Sequence, residues 1–196
     1  VTATRATRTS EIDPKAPYYV IANTSASAVQ AVNKAISQGK SVYLTDDGYI
    51  VDRDTFASLL PNYAIYGEAL YKVPNGPTLK PLKIYSPNYH YNWTGVDAPA
   101  HTSLVLEKLG FQIVDTPEEA DVIVLENNRY DASIFGKKPT LVIGGEAMQK
   151  LEKLGVLSGF DAEKLKGGSD YEGLMKAIID DQDPLTSGYK KNALFY

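Results

Sequence analysis

The hydrophobic pattern of the chain alternates between short apolar runs and stretches with helical spacing. Continuous apolar runs of strand length occupy residues 18–22, 41–44, 49–51, 82–86, 111–114, 121–125 and 140–143. Between them, apolar residues recur every three or four positions, as at Val29, Val32 and Ile36, which predicts amphipathic helices. Near-continuous Val, Ile and Leu strands that alternate with helices are typical of a parallel sheet. The pattern therefore predicts an α/β fold, doubly wound, with a mainly parallel sheet and helices on both faces.

Capping residues mark the ends of the predicted helices. Ser25 is a candidate N-cap for the first helix, which Gly39 ends, and the strands on either side then form a β-α-β unit with parallel strands. Asp54 is the predicted cap of a short second helix. Gly110 ends a later helix, and the last helix is predicted over 171–179.

Composition shifts along the chain predict its domain organisation. Residues 1–17 are rich in Thr, Ala, Arg and Pro without periodicity, which predicts a linker or a disordered leader. Residues 18–196 are then expected to form a single α/β domain, or two lobes that share a sheet, with a break at 74–77. The chain begins at Val1 and ends on the apolar run 193–196, so we expect it to be a piece of a longer protein.

The counts of cysteine and histidine exclude several classes of enzyme. The chain has 196 residues with no cysteine and two histidines. Without cysteine it has no thiol nucleophile, no thiolate metal site and no redox pair. His90 and His101 cannot supply a site of three imidazoles, and neither belongs to an H-E-x-x-H or H-x-x-E arrangement. We therefore expect no metal and no cofactor in this chain.

The net charge and the hydropathy of the chain limit the classes of partner that it can bind. A formal net charge of -4 opposes a nucleic-acid role, because phosphate neutralisation requires a cationic face. No stretch approaches the roughly 18 consecutive apolar residues of a membrane span. The absence of cysteine is consistent with a cytoplasmic protein and equally with a secreted bacterial protein, so it does not determine the cellular compartment.

Polar and aromatic residues follow the predicted strands, where the ligand crevice of an open parallel sheet lies. The candidate ligand-binding residues are Tyr89, His90, Tyr91, Trp93, Glu126, Arg129, Gly145 and Glu146. Aromatic rings of the 87–95 loop suit a sugar, a peptide or a partner surface. Each binding role has a structural alternative. The aromatic rings can simply cover the edge of the sheet, and Glu126 can form an internal ion pair with Arg129.

The turn at 144–146 is the most informative of these positions. A strand that turns sharply into a helix places the first helical N–H groups at the crevice, as in a nucleophile elbow. Such an elbow carries Ser or Cys in a hydrolase, whereas this chain has Gly145 and Glu146 there. Acyl transfer therefore has no nucleophile at this turn, and the glycines are equally consistent with close packing of the helix on the sheet.

Several blocks along the chain form a recognisable pattern: 18–21, 31–35, 39–43, 83–85, 106–111, 121–125, 141–145 and 183–189. With these blocks the chain resembles the C-terminal region that follows the catalytic domain in some bacterial zinc carboxypeptidases. That region is similar in fold to class I glutamine amidotransferases, so the resemblance implies a flavodoxin-like domain. It also implies a secreted or cell-surface location, a peptidase domain as partner in cis, and zinc in the parent's catalytic domain. No catalytic residue carries over, because the amidotransferase cysteine is missing from the turn at Gly145.

Three functions are compatible with these observations. The first is a non-catalytic accessory domain that supports the peptidase domain or binds peptide or cell-wall material. The alternative is a small-ligand-binding or carboxylate-dependent enzyme domain, with its site at the carboxyl edge of the sheet around Glu126, Glu146 and the 89–93 loop. The third is a structural module whose apolar surface serves dimerisation or domain docking.

Overall fold

The chain divides into two units. The computed structural model describes residues 11–87, 101–126, 128–143, 145–156 and 159, and the backbone of two strands at 175–178 and 192–195. Unit 1 comprises Val1–Leu79 and Lys166–Tyr196, and unit 2 comprises Lys80–Leu165. The described strands of the two units lie in separate sheets, one of them a parallel sheet of four strands, so the protein is a mixed α/β structure. A single domain over 18–196 stays a prediction.

Unit 1 contains an antiparallel four-stranded sheet and two helices. Its elements are β1 (Tyr18–Ile21), α1 (Ala26–Ser37), β2 (Val42–Thr45), β3 (Gly48–Asp52), α2 (Arg53–Leu59) and β4 (Gly67–Leu70). The strand order is β2-β3-β1-β4, and every neighbouring pair is antiparallel. This order and the β-α-β-β-α-β sequence of elements define the split β-α-β arrangement.

The two strands of the predicted β-α-β unit are parallel, but the prediction of a mainly parallel sheet is wrong in unit 1. β1 and β2 run in the same direction, but β3 lies between them and pairs with both. The physical reason is the short connection between β2 and β3, which joins Thr45 to Gly48 through two residues. Such a connection can only form a hairpin, and an antiparallel hairpin then inserts its second strand next to β1.

The core of unit 1 lies between one face of the sheet and the two helices. The ring of Tyr19 stacks on the ring of Phe56, with centroids 4.3 Å apart and planes 8° from parallel. Ala31 and Val32 of α1 are buried in the same cluster. Gly67 of β4 makes room for this stack, because a Cβ there would lie 2.6 Å from the Phe56 ring.

The predicted helix ends are largely confirmed. The Ser25 side chain accepts a hydrogen bond from the Ala28 N–H at 3.1 Å, and Gly39 follows the end of α1 with φ of 73°. For α2 the cap is Asp52 and not Asp54, because the Asp52 carboxylate accepts from the Thr55 N–H at 2.8 Å.

The described part of the predicted leader packs onto unit 1. Ala16 is completely buried in the core cluster. Asp13 accepts a hydrogen bond from the Tyr71 hydroxyl at 2.5 Å, and the Asp13 N–H donates to the Tyr19 hydroxyl at 2.6 Å. The guanidinium of Arg53 donates to the Pro14 carbonyl at 2.7 Å. Residues 1–10 lie outside the described residues.

Unit 2 is built around the parallel sheet. Its elements are β5 (Lys83–Tyr85), α3 (His101–Lys108), β6 (Gln112–Ile113), β7 (Val122–Leu125), a single 3-10 turn (Ala132–Ile134), β8 (Thr140–Val142) and α4 (Gly145–Lys153). The strand order is β6-β5-β7-β8, and all three pairs are parallel. Gly110, with φ of 88°, follows the end of α3 as predicted.

The core of unit 2 packs one face of this sheet against α4. Ile123 and Leu125 of β7 are fully buried with Leu151 of α4. In the described part of the chain, no helix has both the length and the apolar character needed to cross a membrane.

The C-terminal part of unit 1 contains a two-stranded ribbon in place of the predicted last helix. β9 (Met175–Ile178) and β10 (Asn192–Phe195) pair antiparallel, with Phe195 opposite Met175 and Asn192 opposite Ile178. The helix predicted over 171–179 is therefore wrong at 175–178, and 171–174 and 179 lie outside the described residues. Pairing with a distant strand overrides the local helical spacing here.

We expect Gly48→Ala to destabilise unit 1 much more than Gly39→Ala. Gly48 has φ of 136°, and a Cβ there would lie 2.3 Å from the Ile21 carbonyl oxygen. Gly39 also has positive φ, but its Cβ would meet nothing within 4 Å. We expect a loss of about 3 kcal/mol or more for Gly48→Ala and about 1 kcal/mol for Gly39→Ala in urea unfolding. Equal losses would contradict the proposed contact between the hairpin and β1.

Acid should remove the contribution of Asp13 to stability. The hydrogen bond from the Tyr71 hydroxyl, and secondly that from the Lys15 N–H, lower the pKa of Asp13 below 3.8. A lowered folded-state pKa stabilises the fold above about pH 4, and this stabilisation is lost as the pH falls through the lowered value. In Tyr71→Phe the pKa of Asp13 should move back towards 3.8, as followed by NMR titration of the carboxyl carbon. Tyr43→Phe is the control and should leave the titration unchanged.

Candidate functional site

The strand order of unit 2 creates a switch point at the carboxyl end of the parallel sheet. The chain leaves β5 towards β6 on one side, and β7 then pairs with β5 on the other side. Connections therefore diverge between β5 and β7, which is where open parallel sheets bind ligands. Ser86 directly follows β5 and Glu126 directly follows β7.

Glu126 holds the beginning of α3 at this edge. Its Oε2 accepts a hydrogen bond from the Thr102 N–H at 3.0 Å, and the residue is half-buried. A carboxylate is stabilised at a helix N-terminus because it satisfies an orphan N–H and interacts favourably with the helix dipole. Sequence reasoning missed this contact, because Thr102 lies 24 residues before Glu126.

Ser86 is a buried hydroxyl at the same edge. Its side chain is 2% exposed, and within the described part of the chain its Oγ has no hydrogen-bond partner. Leaving a buried hydroxyl unsatisfied costs about 1–3 kcal/mol. Sequence reasoning passed over Ser86, since a serine after a strand has no distinctive pattern.

Lys150 joins the loop after β7 to α4. Its ammonium group donates to the Asn128 carbonyl at 2.8 Å and to the Tyr130 carbonyl, and it lies 4.5 Å from the centre of the Tyr130 ring. The Tyr130 hydroxyl donates to the Ala147 carbonyl at 2.8 Å. Burial raises the pKa of Tyr130, which keeps this hydroxyl protonated as a donor. The loop after β7 is thus fixed to α4 through two of its backbone carbonyls and through the buried side chain of Tyr130.

A hollow of about 410 Å³ lies beside the contacts of Lys150. Its lining residues are Asn128, Glu146, Gln149, Lys150, Lys153 and Leu154. The volume lies within the range of small-ligand sites, and the lining offers a carboxylate, two ammonium groups and two amides. Positively and negatively charged side chains therefore line the same hollow.

The turn from β8 into α4 has the predicted position. β8 ends at Val142 and α4 begins at Gly145, so only two residues separate them. Gly145 and Glu146 are exposed, and Glu146 lies in the first turn of the helix. Gly144 is outside the described residues.

The structure brings together some of the predicted site residues. Glu146 lines the hollow next to the loop after β7, whereas Glu126 lies at the N-terminus of α3. Arg129 is exposed on the same loop. The predicted aromatic residues, Tyr89, His90, Tyr91 and Trp93, fall outside the described residues.

Within the described ranges, no group of three or more His, Asp or Glu residues is arranged to hold a metal ion.

Sequence reasoning gave no role to Lys150, because a lysine near a helix C-terminus usually interacts with the helix dipole.

We expect Lys150→Met to destabilise unit 2 by about 2 kcal/mol, since it removes charge-assisted hydrogen bonds to two carbonyls and a cation–π contact. Lys153→Met is the matched control, because Lys153 lies one turn along α4 and is exposed. Chemical unfolding gives the stability, and hydrogen exchange at the Tyr130 amide reports the loop directly. Equal effects of both substitutions would show that the Lys150 contacts do not fix the loop.

Comparison with known proteins adds no family to these observations. No protein-family model, no curated protein and no solved structure matches this chain.

Proposed function

We propose that this chain is a non-catalytic binding domain that accompanies a bacterial zinc carboxypeptidase and holds its ligand at the carboxyl edge of the unit 2 sheet. Numbered along unit 2, the strand order is 2-1-3-4, which agrees with the first four strands of the flavodoxin-like order. This agreement supports a flavodoxin-like arrangement for unit 2. The peptidase domain in cis, its zinc and a secreted or cell-surface location belong to the same proposal.

The observation that carries the proposal is the composition of the turn between β8 and α4. In the amidotransferase-like arrangement that the resemblance implies, the nucleophile lies at this turn, and here α4 begins with Gly145 and Glu146. Without a hydroxyl or a thiol at this position, covalent acyl transfer has no starting group. Glu126, the other carboxylate of the edge, is bonded to the Thr102 N–H. The edge is therefore better equipped to recognise a ligand than to attack one.

The hollow beside α4 favours a peptide-like ligand. A short peptide carries an ammonium group, a carboxylate and amides, and each finds a complementary group in this lining. Glu146 can accept from an ammonium or amide donor, Lys153 can pair with a carboxylate, and Gln149 can bond a peptide group. Peptides of the bacterial cell wall present the same groups.

The first test measures activity and binding on the purified chain. We expect no peptidase and no glutaminase activity with or without added zinc. Titration with trialanine or with a soluble cell-wall tripeptide, followed by amide NMR, should shift the resonances around Asn128, Glu146 and Lys153. Robust hydrolysis by the chain would overturn the proposal.

Substitution at the hollow gives the matched comparison. Glu146→Gln should weaken peptide binding about tenfold, which is the loss of about 1.4 kcal/mol expected for a charged contact. Glu107→Gln on α3 is the control, because Glu107 is also exposed but does not line the hollow. Peptide binding that is unchanged by Glu146→Gln would exclude this hollow as the site. Peptide turnover that is abolished by Glu146→Gln would instead favour the carboxylate-dependent enzyme.

A further inference from the structure

The segment after β4 contains the only asparagine of the chain that is followed by glycine. Asn75 and Gly76 form this pair. Both residues are exposed and lie outside any helix or strand. Glycine has no Cβ and a wide conformational range, so its backbone nitrogen can approach the side-chain carbonyl carbon of the preceding residue without steric obstruction. The sequence therefore places an asparagine side chain beside an accessible nucleophile of its own backbone.

The structure explains why glycine occupies position 76. A Cβ at this position would lie 2.8 Å from the carbonyl oxygen of Leu44 in β2. That oxygen belongs to a paired strand and cannot move aside without disturbing the sheet. Glycine is typical of such a close approach between two backbone segments. The pair can therefore be removed without a clash only by replacing Asn75.

The residues that follow this pair run along the outer edge of β2. The Leu44 N–H donates to the Pro77 carbonyl at 3.1 Å, and the Leu79 N–H donates to the Val42 carbonyl at 2.8 Å. The Leu79 side chain packs against the core cluster of unit 1. β2 is an edge strand of the four-stranded sheet, and these contacts cover backbone groups that would otherwise be unpaired.

Asn62 provides a comparison within the same unit. It is also exposed, but the residue after it is Tyr63, whose N–H donates to the Leu59 carbonyl at 3.1 Å. In the described part of the chain, the Gly76 N–H has no hydrogen-bond partner. The backbone nitrogen after Asn75 can therefore turn towards the side chain without breaking a hydrogen bond of the fold, whereas the nitrogen after Asn62 cannot.

We propose that Asn75 is a site of spontaneous deamidation, and that the isoaspartate formed there releases residues 77–79 from the edge of β2. The Gly76 nitrogen loses its proton to a base from the solvent and bonds to the side-chain carbonyl carbon of Asn75. The side-chain amide takes up a proton and leaves as ammonia, which gives a cyclic imide. Water then opens the imide at one of its two carbonyl carbons. The net reaction consumes one water molecule and releases one ammonia molecule, without any oxidation or reduction.

The two products of ring opening differ in the path of the backbone. Aspartate keeps the original main chain and adds one negative charge. Isoaspartate adds the same charge but carries the main chain through its side-chain carbons, which inserts one carbon–carbon bond of about 1.5 Å before Gly76. Because Gly76 already lies against the Leu44 carbonyl, the longer main chain has no room there. The hydrogen bonds of 77–79 to β2 should therefore open locally while the rest of unit 1 stays folded.

The modification is tested by ageing the full chain at mildly alkaline pH. Mass spectrometry of the tryptic peptide 73–83 reports Asn75, and the tryptic peptide 54–72 reports Asn62. We expect the conversion of amide to carboxyl at Asn75 to be at least several-fold faster than at Asn62, with isoaspartate and aspartate distinguished by electron-transfer fragmentation. Asn75→Gln is the control variant and should not be converted, because its longer side chain disfavours ring closure. Equal rates at Asn75 and Asn62 would overturn the proposed site.

Hydrogen exchange tests the structural consequence on the separated products. The amides of Leu44 and Leu79 should exchange several-fold faster in the isoaspartyl form than in the unmodified chain. Asn75→Asp is the matched control, because it supplies the charge without lengthening the main chain, and it should retain the protection of both amides. Unchanged exchange in the isoaspartyl form, or an equal loss of protection in Asn75→Asp, would overturn the proposed release of 77–79.

Discussion

The parallel pairing of β5 with β7 is the interaction on which the candidate site depends. At the amino-terminal ends of these strands, Asp121 makes two hydrogen bonds to Lys83, each 2.9 Å long. The Asp121 carboxylate accepts from the Lys83 N–H, and the Asp121 N–H donates to the Lys83 carbonyl. Only this pairing makes β5 an interior strand with β6 on its other side. The resulting switch point sets Ser86 and Glu126 at one edge, and places the N-terminus of α3 within reach of Glu126.

Polar groups at this edge mainly hold the scaffold in place. Glu126 satisfies a helix N–H, Tyr130 satisfies a carbonyl of α4, and Lys150 satisfies two carbonyls of the loop. Since buried polar groups are costly unless paired, each contact restricts the loops around the crevice to one arrangement. Such preorganisation lowers the entropic cost of binding, as the recognition role proposed for the exposed charges of Glu146 and Lys153 requires.

Much of the local structure followed from the sequence, while the pairing of unit 1 did not. The caps at Ser25 and Gly39 were predicted because they depend on neighbouring residues only. The mainly parallel sheet was wrong for unit 1, because an apolar run does not reveal which strand will lie beside it. The same limit explains the helix predicted at 175–178, where pairing with Asn192–Phe195 decided the backbone. Glu126 was found as a site candidate, but its partner at Thr102 was not.

The sequence by itself determined most of the described strands and helices before residue 154, the presence of a parallel sheet, and the absence of a cysteine at the turn before α4. The tertiary structure alone decided that unit 1 is antiparallel, that Lys150 clamps the loop after β7, and that Glu126 caps α3. The physical reason is the range of the forces involved. Hydrophobic periodicity and capping act within one or two turns of chain, whereas strand order and side-chain partners depend on which distant segments close on one another.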